Sequence, residues 1–143
     1  MYPREWLHHA ENAAARYEGD PDLLISIAIL ESGWGESGNT TEYNNPFNIK
    51  TKDGSGWHKY PDMQAAFNGC AYLLYASRYY TDGRELLWRL RHIPMASAIW
   101  DVRAEEALYA IGRVYAPATD GNDPQQWARS IVRIYRQITS KGI

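Results

Sequence analysis

Glu31 has the most unusual chemical setting of the 17 acidic residues in this 143-residue chain. The run Asp22-Leu23-Leu24-Ile25-Ser26-Ile27-Ala28-Ile29-Leu30 carries no charge after Asp22, and it is apolar on every face of a helix until Glu31 ends it. A helix apolar all round is a buried helix. Burial disfavours the ionised carboxylate, and so does the partial negative charge at a helix C-terminus, so both predict a raised pKa. A carboxyl held protonated in this way suits a general acid. The ordinary alternative is a helix-end glutamate that reaches solvent or pairs with an arginine. The sequel Ser32-Gly33-Trp34-Gly35 favours the first reading: glycines let the chain turn sharply beside the acid, and Trp34 offers a face on which a sugar can stack.

Other reactive side chains read more plainly. His8 and His9 are adjacent and point to different helix faces, unlike the i, i+4 pair that a metal prefers, so no metal site is expected. Cys70 is the only cysteine; it lies on an apolar helical stripe and reads as a core thiol. Trp6, Trp88, Trp100 and Trp127 also lie on helical stripes and read as core, which leaves Trp34 and Trp57 for a binding groove.

The elements that must position Glu31 follow from periodicity and caps. Trp6, Ala10, Ala13 and Tyr17 repeat at helical spacing behind Pro3, and Asp20-Pro21 is a cap with a first-turn proline opening the apolar helix. Gly33 and Gly35 stop that helix, and a polar loop is expected from Glu36 to Gly56. Phe47-Asn48-Ile49-Lys50 and Trp57-His58-Lys59-Tyr60 alternate in polarity around Asp53-Gly54-Ser55-Gly56, which predicts a small β-hairpin. Met63, Phe67, Cys70 and Leu74 mark a third helix, and Leu86, Leu87 and Leu90 a short fourth. Ala104 to Val114 mark a fifth, and Asp123-Pro124 with Trp127, Ile131, Ile134 and Ile138 the last. The expectation is one domain over residues 1–143, of α+β class and mainly α, with a single hairpin.

Composition narrows the function. Fifteen Lys+Arg against 17 Asp+Glu leave a net charge of −2, with no basic stretch able to track a phosphate backbone, so nucleic acid is not an expected partner. The longest apolar run falls short of the roughly 20 residues that cross a bilayer. No secretory signal is read in Met1-Tyr2-Pro3-Arg4-Glu5-Trp6, which lacks an apolar stretch. Six Trp and 11 Tyr against two Phe give aromatics with polar tips, a set suited to sugars and wet clefts.

Ala28-Ile29-Leu30-Glu31-Ser32-Gly33-Trp34-Gly35 resembles the catalytic-glutamate segment of the glycoside hydrolase 73 family, the flagellar and autolysin-type N-acetylglucosaminidases that cleave peptidoglycan. Asn44-Asn45-Pro46-Phe47-Asn48-Ile49-Lys50 is similar to that family's Asn-Asn-Leu-Phe-Gly-Ile-Lys block, with Pro46 and Asn48 in place of Leu and Gly. Trp57-His58-Lys59-Tyr60 resembles its aromatic-Arg-x-Tyr strand. Tyr115-Ala116-Pro117-Ala118-Thr119-Asp120 with Trp127-Ala128 resembles its Tyr-Ala-Thr-Asp block, here with residues inserted. Four blocks in the same order span Ala28 to about Ala128.

The resemblance implies a lysozyme-like fold, a helical lobe and a small β-hairpin lobe with a glycan groove between them. It also implies a peptidoglycan hydrolase that cuts the β-1,4 bond between N-acetylglucosamine and N-acetylmuramic acid. Glu31 would be the proton donor, and Tyr115 would face the reacting sugar. Trp34, Asn44, Asn45, Phe47, Trp57, His58, Tyr60 and Asp120 would contribute to glycan binding, although asparagines entering a strand commonly hold their own loop. An inverting glycosidase needs a base roughly 6.5 to 9.5 Å from the acid, and a retaining one a nucleophile at about 5 to 5.5 Å. Glu36, Glu42, Asp53 and Asp62 are the candidates; Asp62 is the acid nearest the family position, and Asp53 before glycine is also ordinary turn chemistry. Substrate assistance by the acetamido group would need no second carboxylate. A muramidase, a lytic transglycosylase and a non-catalytic wall-binding module are the alternative functions. The implied protein is a monomer without cofactor that acts on glycan strands at the bacterial cell wall.

Overall fold

The Asp20-Pro21 pair opens the central helix as expected. The Asp20 side chain accepts the Asp22 N–H at 2.9 Å, and α2 runs Pro21–Ser32, after α1 at Glu5–Ala15. Every residue from Leu23 to Ile29 is buried. The helix leaves through Gly33 in the left-handed conformation. The computed structural model describes residues 1–140, in which α3 (Gly38–Tyr43), α4 (Met63–Tyr75), α5 (Thr81–Leu90), α6 (Trp100–Tyr115) and α7 (Pro124–Ser140) complete seven α-helices. Short 3₁₀ turns precede α5 and α7.

Helices α1, α4 and α7 pack around α2, and α5 and α6 extend the assembly from α7. One contiguous apolar cluster joins Trp6 and Ala10 of α1, the α2 run, Phe67, Cys70 and Leu74 of α4, Leu108 and Ile111 of α6, and Trp127, Ile131, Ile134 and Ile138 of α7. Each of the larger side chains contributes about 1.5–3 kcal/mol by leaving water. Gly112 fixes the spacing of α6 and α7, because a Cβ there would stand 3.0 Å from the Trp127 ring and 3.2 Å from the Pro124 carbonyl. The start of α7 is thereby pressed onto α6. Its first turn is capped by Asp123, which accepts the N–H groups of Gln125 and Gln126 at 3.1 Å.

The structure departs from the sequence reading in three places. The expected β-hairpin lobe reduces to one antiparallel bridge, Lys50 with Trp57, and the described residues form no strand, so the fold is mainly helical rather than α+β. Asn48 has φ +54°, which breaks the extended run from Phe47 to Lys50. The segment is held instead by Asn45, whose fully buried amide donates to the carbonyls of Ile49 (2.8 Å) and His58 (2.9 Å) and accepts the Ile49 N–H (3.1 Å). Second, the polar loop after Gly35 contains α3, capped by Ser37 and ended by Asn44 at φ +51°. Third, Trp88 is not core: it is 51% exposed, with the Arg91 guanidinium over its ring at 4.3 Å. Among the described residues no helix is long and apolar enough to cross a membrane.

Candidate active site

Glu31 lies in the last turn of α2, and the turn beyond it is tightly stitched. Ser32, almost fully buried, donates its hydroxyl to the Ala28 carbonyl and accepts the Gly35 N–H at 2.7 Å. Trp34 follows in the left-handed region at φ +65°. Gly35 has φ +94°, and a Cβ there would come within 3.0 Å of Pro3 and 3.3 Å of Trp6, so glycine is required twice over. The N-terminal segment thus braces the turn that carries the acid.

Both oxygens of the Glu31 carboxyl accept hydrogen bonds from distant parts of the chain. The Trp127 indole Nε1 donates to Oε2 at 2.8 Å. The Asn48 amide Nδ2 donates to Oε1 at 3.1 Å and also to the Glu31 backbone carbonyl at 2.8 Å. Burial pushes the Glu31 pKa above the ordinary glutamate value, and the two donors, which favour the ionised form, pull the other way without overcoming it. The raised acid expected from the helix is therefore present, and it is balanced by two donors that the sequence did not single out. A carboxyl whose pKa is raised in this way keeps its proton to higher pH than an ordinary glutamate, which is the chemistry a general acid needs.

Tyr115 ends α6 beside this pair. Its ring stacks on Trp127 (centroids 5.3 Å apart, interplanar angle 29°), and its hydroxyl donates to the Phe47 carbonyl, next to Asn48. Burial is the largest cause pushing its own pKa far above the phenol value. The hydroxyl therefore holds the Asn45–Lys50 segment against the helical body, and it does not point at open space. Lys50 and Asp120 make a second tie at 3.4 Å between that segment and the turn before α7.

The other candidates divide sharply. Phe47 is fully buried, edge-on to Phe67 at 4.9 Å, so it is a core residue with no surface for a sugar. Asn44 donates to the Tyr60 carbonyl at 3.1 Å, so the amides of Asn44 and Asn45 both hold the loop. Asp53 caps its own turn, accepting from the Thr51 hydroxyl (2.7 Å) and from the Ser55 N–H (3.0 Å) and hydroxyl (2.8 Å), and these bonds lower its pKa to about 2. Asp62 caps α4 by accepting the Ala65 N–H at 2.8 Å. Glu36 and Glu42 are exposed. His58 is exposed and stacks on Tyr60 (4.2 Å), Trp57 is 40% exposed, and Trp34 is half-buried, which leaves these aromatics on the accessible side of the loop and turn.

A cavity of about 750 Å³ opens at the other end of α2, among Asp20, Tyr75, Trp88, Trp100 and Tyr135. Its central polar groups satisfy one another: Tyr135 donates to Asp20 at 2.7 Å, and the Asp20 N–H donates to the Tyr75 hydroxyl at 3.0 Å.

No curated protein and no solved structure matches the chain. The sequence model of the glucosaminidase family, described as mannosyl-glycoprotein endo-beta-N-acetylglucosaminidase, matches residues 7–140, which include Glu31, Asn48, Tyr115 and Trp127. A match of that extent settles the family: the chain belongs to the glucosaminidases.

Proposed function

We propose that the protein hydrolyses the β-1,4 bond between N-acetylglucosamine and N-acetylmuramic acid in peptidoglycan, on the glucosamine side, with Glu31 as general acid. The observation that carries this reading is the Glu31 carboxyl itself, raised by burial and hydrogen-bonded on both oxygens at the end of an apolar helix. In the ground state the protonated carboxyl stands ready beside the glycosidic oxygen. As the bond breaks, the proton passes to the leaving oxygen, and the carboxylate that forms is stabilised by the Trp127 and Asn48 donors already aimed at it. Trp34 and Trp57 provide accessible stacking faces on the two segments that flank the acid. The lysozyme-like reading of the fold rests on the same arrangement: a helical body with the acid at its edge and the residue 47–60 loop across from it.

The test is mass spectrometry of muropeptides released from purified peptidoglycan, with reducing ends labelled, for the wild type and Glu31→Gln. Reducing N-acetylglucosamine ends from the wild type and none from the variant are expected. Reducing muramic ends would make the enzyme a muramidase, anhydro ends a lytic transglycosylase, and wall binding without cleavage a binding module. NMR of the first-formed anomer narrows the second catalytic group. Inversion calls for a carboxylate base, and retention for a nucleophile or the substrate's own acetamido oxygen.

A further inference from the structure

We infer that Asn48 and Asn39 form an amide relay that sets which oxygen of Glu31 carries the proton and up to what pH the carboxyl keeps it. This rests on the reading of Glu31 as the acid. Asn48 sits at φ +54°, a conformation that glycine takes freely and asparagine tolerates, so the backbone alone does not require an amide here. The block that this segment resembles carries glycine at the position. The Asn48 side chain is nevertheless fully engaged. Nδ2 donates to the Glu31 carbonyl (2.8 Å) and to Oε1 (3.1 Å), and Oδ1 accepts the Asn39 amide Nδ2 at 3.0 Å. Asn39 is itself fixed in α3, where its carbonyl accepts the Asn45 N–H at 3.0 Å.

This geometry distinguishes the two oxygens of the acid. Oε2 receives the shorter, undivided indole bond at 2.8 Å, and Oε1 receives the longer share of an amide that also serves a backbone carbonyl. A hydroxyl oxygen accepts more weakly than a carbonyl oxygen, so the neutral acid keeps Oε2 as acceptor for the indole and carries its proton on Oε1. The Glu31 backbone carbonyl, which only an N–H can serve, and the Asn39 amide that donates to Oδ1 together keep the Asn48 amide from turning over. A reversed amide would aim Oδ1 at Glu31, accept the proton in a hydrogen bond and withhold it from the leaving group. The titratable groups that feel Glu31 from the packed elements are Cys70 on α4 and Tyr115 on α6, both neutral: burial raises the pKa of each, with the Glu31 charge next for Cys70 and Cys70 ahead of Glu31 for Tyr115. Lys50, two residues from Asn48, is paired with Asp120. The donors are therefore the principal polar influence on the carboxyl.

The experiment measures pH–rate profiles of wall hydrolysis and the carbon-13 NMR titration of the Glu31 carboxyl for the wild type, Asn48→Gly, Asn48→Asp and Asn39→Ala. Glycine accepts the backbone angle and removes one donor to the ionised form, so the alkaline limb and the titration should both move up by about one pH unit. Aspartate keeps the shape and adds a like charge, so its displacement should be larger still. Asn39→Ala should lower kcat at near-constant KM. A merely structural amide would lower the melting temperature and leave the titration where it is. Coincident titrations in wild type, Asn48→Gly and Asn48→Asp would overturn the relay. If Asn48→Asp fails to fold, the glycine variant decides alone. Should Glu31→Gln still cleave wall, the acid assignment falls, whereas an inactive Glu31→Gln with an unmoved titration in Asn48→Gly removes the relay only.

Discussion

Trp127→Phe isolates the other donor. Phenylalanine retains an aromatic face to stack on Tyr115 at 5.3 Å and lacks only the N–H that reaches Glu31 Oε2 at 2.8 Å and part of the ring volume. A hydrogen bond to a charged partner contributes about 1.5–3 kcal/mol. The neutral acid also accepts from the indole, so the ionisation equilibrium feels only the difference, about 1–2 kcal/mol. At about 1.36 kcal/mol per pH unit, that displaces the equilibrium by about one unit. The sign is fixed by which form the donor favours. The indole stabilises the carboxylate, its loss leaves the carboxyl protonated to higher pH, and an enzyme that needs the protonated form stays active further into the alkaline range.

The same substitution acts on the fold, because Trp127 is 7% exposed and packs where α6 and α7 meet at Gly112. The smaller ring leaves a gap, and together with the lost hydrogen bond about 1–2 kcal/mol of stability should disappear. The assay is a pair of measurements on one variant: the pH dependence of kcat/KM on soluble muropeptide, and urea unfolding at a pH below the limb. A fall in stability with the alkaline limb unmoved would show the indole to be packing alone, and the electrostatic role assigned to it would be refuted.

Further outcomes follow from the same contacts. In the folded state Glu31 titrates above its unfolded value near 4.5, so the native protein holds the proton longer, and stability is lost as pH rises from about 4.5 through the folded value. The unfolding free energy of the wild type minus that of Glu31→Gln should decline over that window, and a flat difference would contradict the burial of the carboxyl. Tyr115→Phe should cost about 0.5–1.5 kcal/mol by freeing the Phe47 carbonyl, with melting temperature and kcat falling together; full stability would show that the hydroxyl does not hold the loop. Amides of residues 51–56, closed mainly by the Thr51–Gly56 bond and the Asp53 turn, should exchange quickly in the free protein and slow on adding a chito-oligosaccharide; equal rates would place the loop tip outside the binding surface.

The helical frame is legible in the sequence where local chemistry and periodicity agree. Asp20-Pro21 and Asp123-Pro124 cap α2 and α7 as read, and the stripe Trp127, Ile131, Ile134, Ile138 is buried as read. The charge-free approach to Glu31 announced the desolvation that raises its carboxyl pKa. Periodicity also put Trp127 inside, correctly, but it carries no information about an indole N–H meeting a carboxyl 96 residues away. Asn48 was visible only as a departure from glycine, and the angle of +54° that makes both residues acceptable was not. The hairpin misread has the same root. Alternating polarity in residues 47–50 and 57–60 looks like strand pairing, but one left-handed residue and one buried asparagine replace the ladder. Helix α3, six residues without an apolar stripe, could be found only through the Ser37 cap and the Asn44 stop. Trp88 shows the converse limit, since a stripe of α5 names a face and does not say whether anything covers it.

Burial alone would favour the protonated Glu31 but leave its carboxylate form without support. Donors alone would stabilise that carboxylate at the expense of the acid. The site combines both, and it draws the donors from two segments far apart in sequence, the residue 45–50 loop and the first turn of α7. Tyr115 connects them, with its hydroxyl on the Phe47 carbonyl beside Asn48 and its ring on Trp127. One side chain on α6 therefore braces the supports on both sides of the acid without touching the acid's oxygens. Tyr115 thus has a role independent of sugar contact: it holds two opposing donors at fixed distances from one carboxyl, and with them the balance between desolvation and hydrogen bonding.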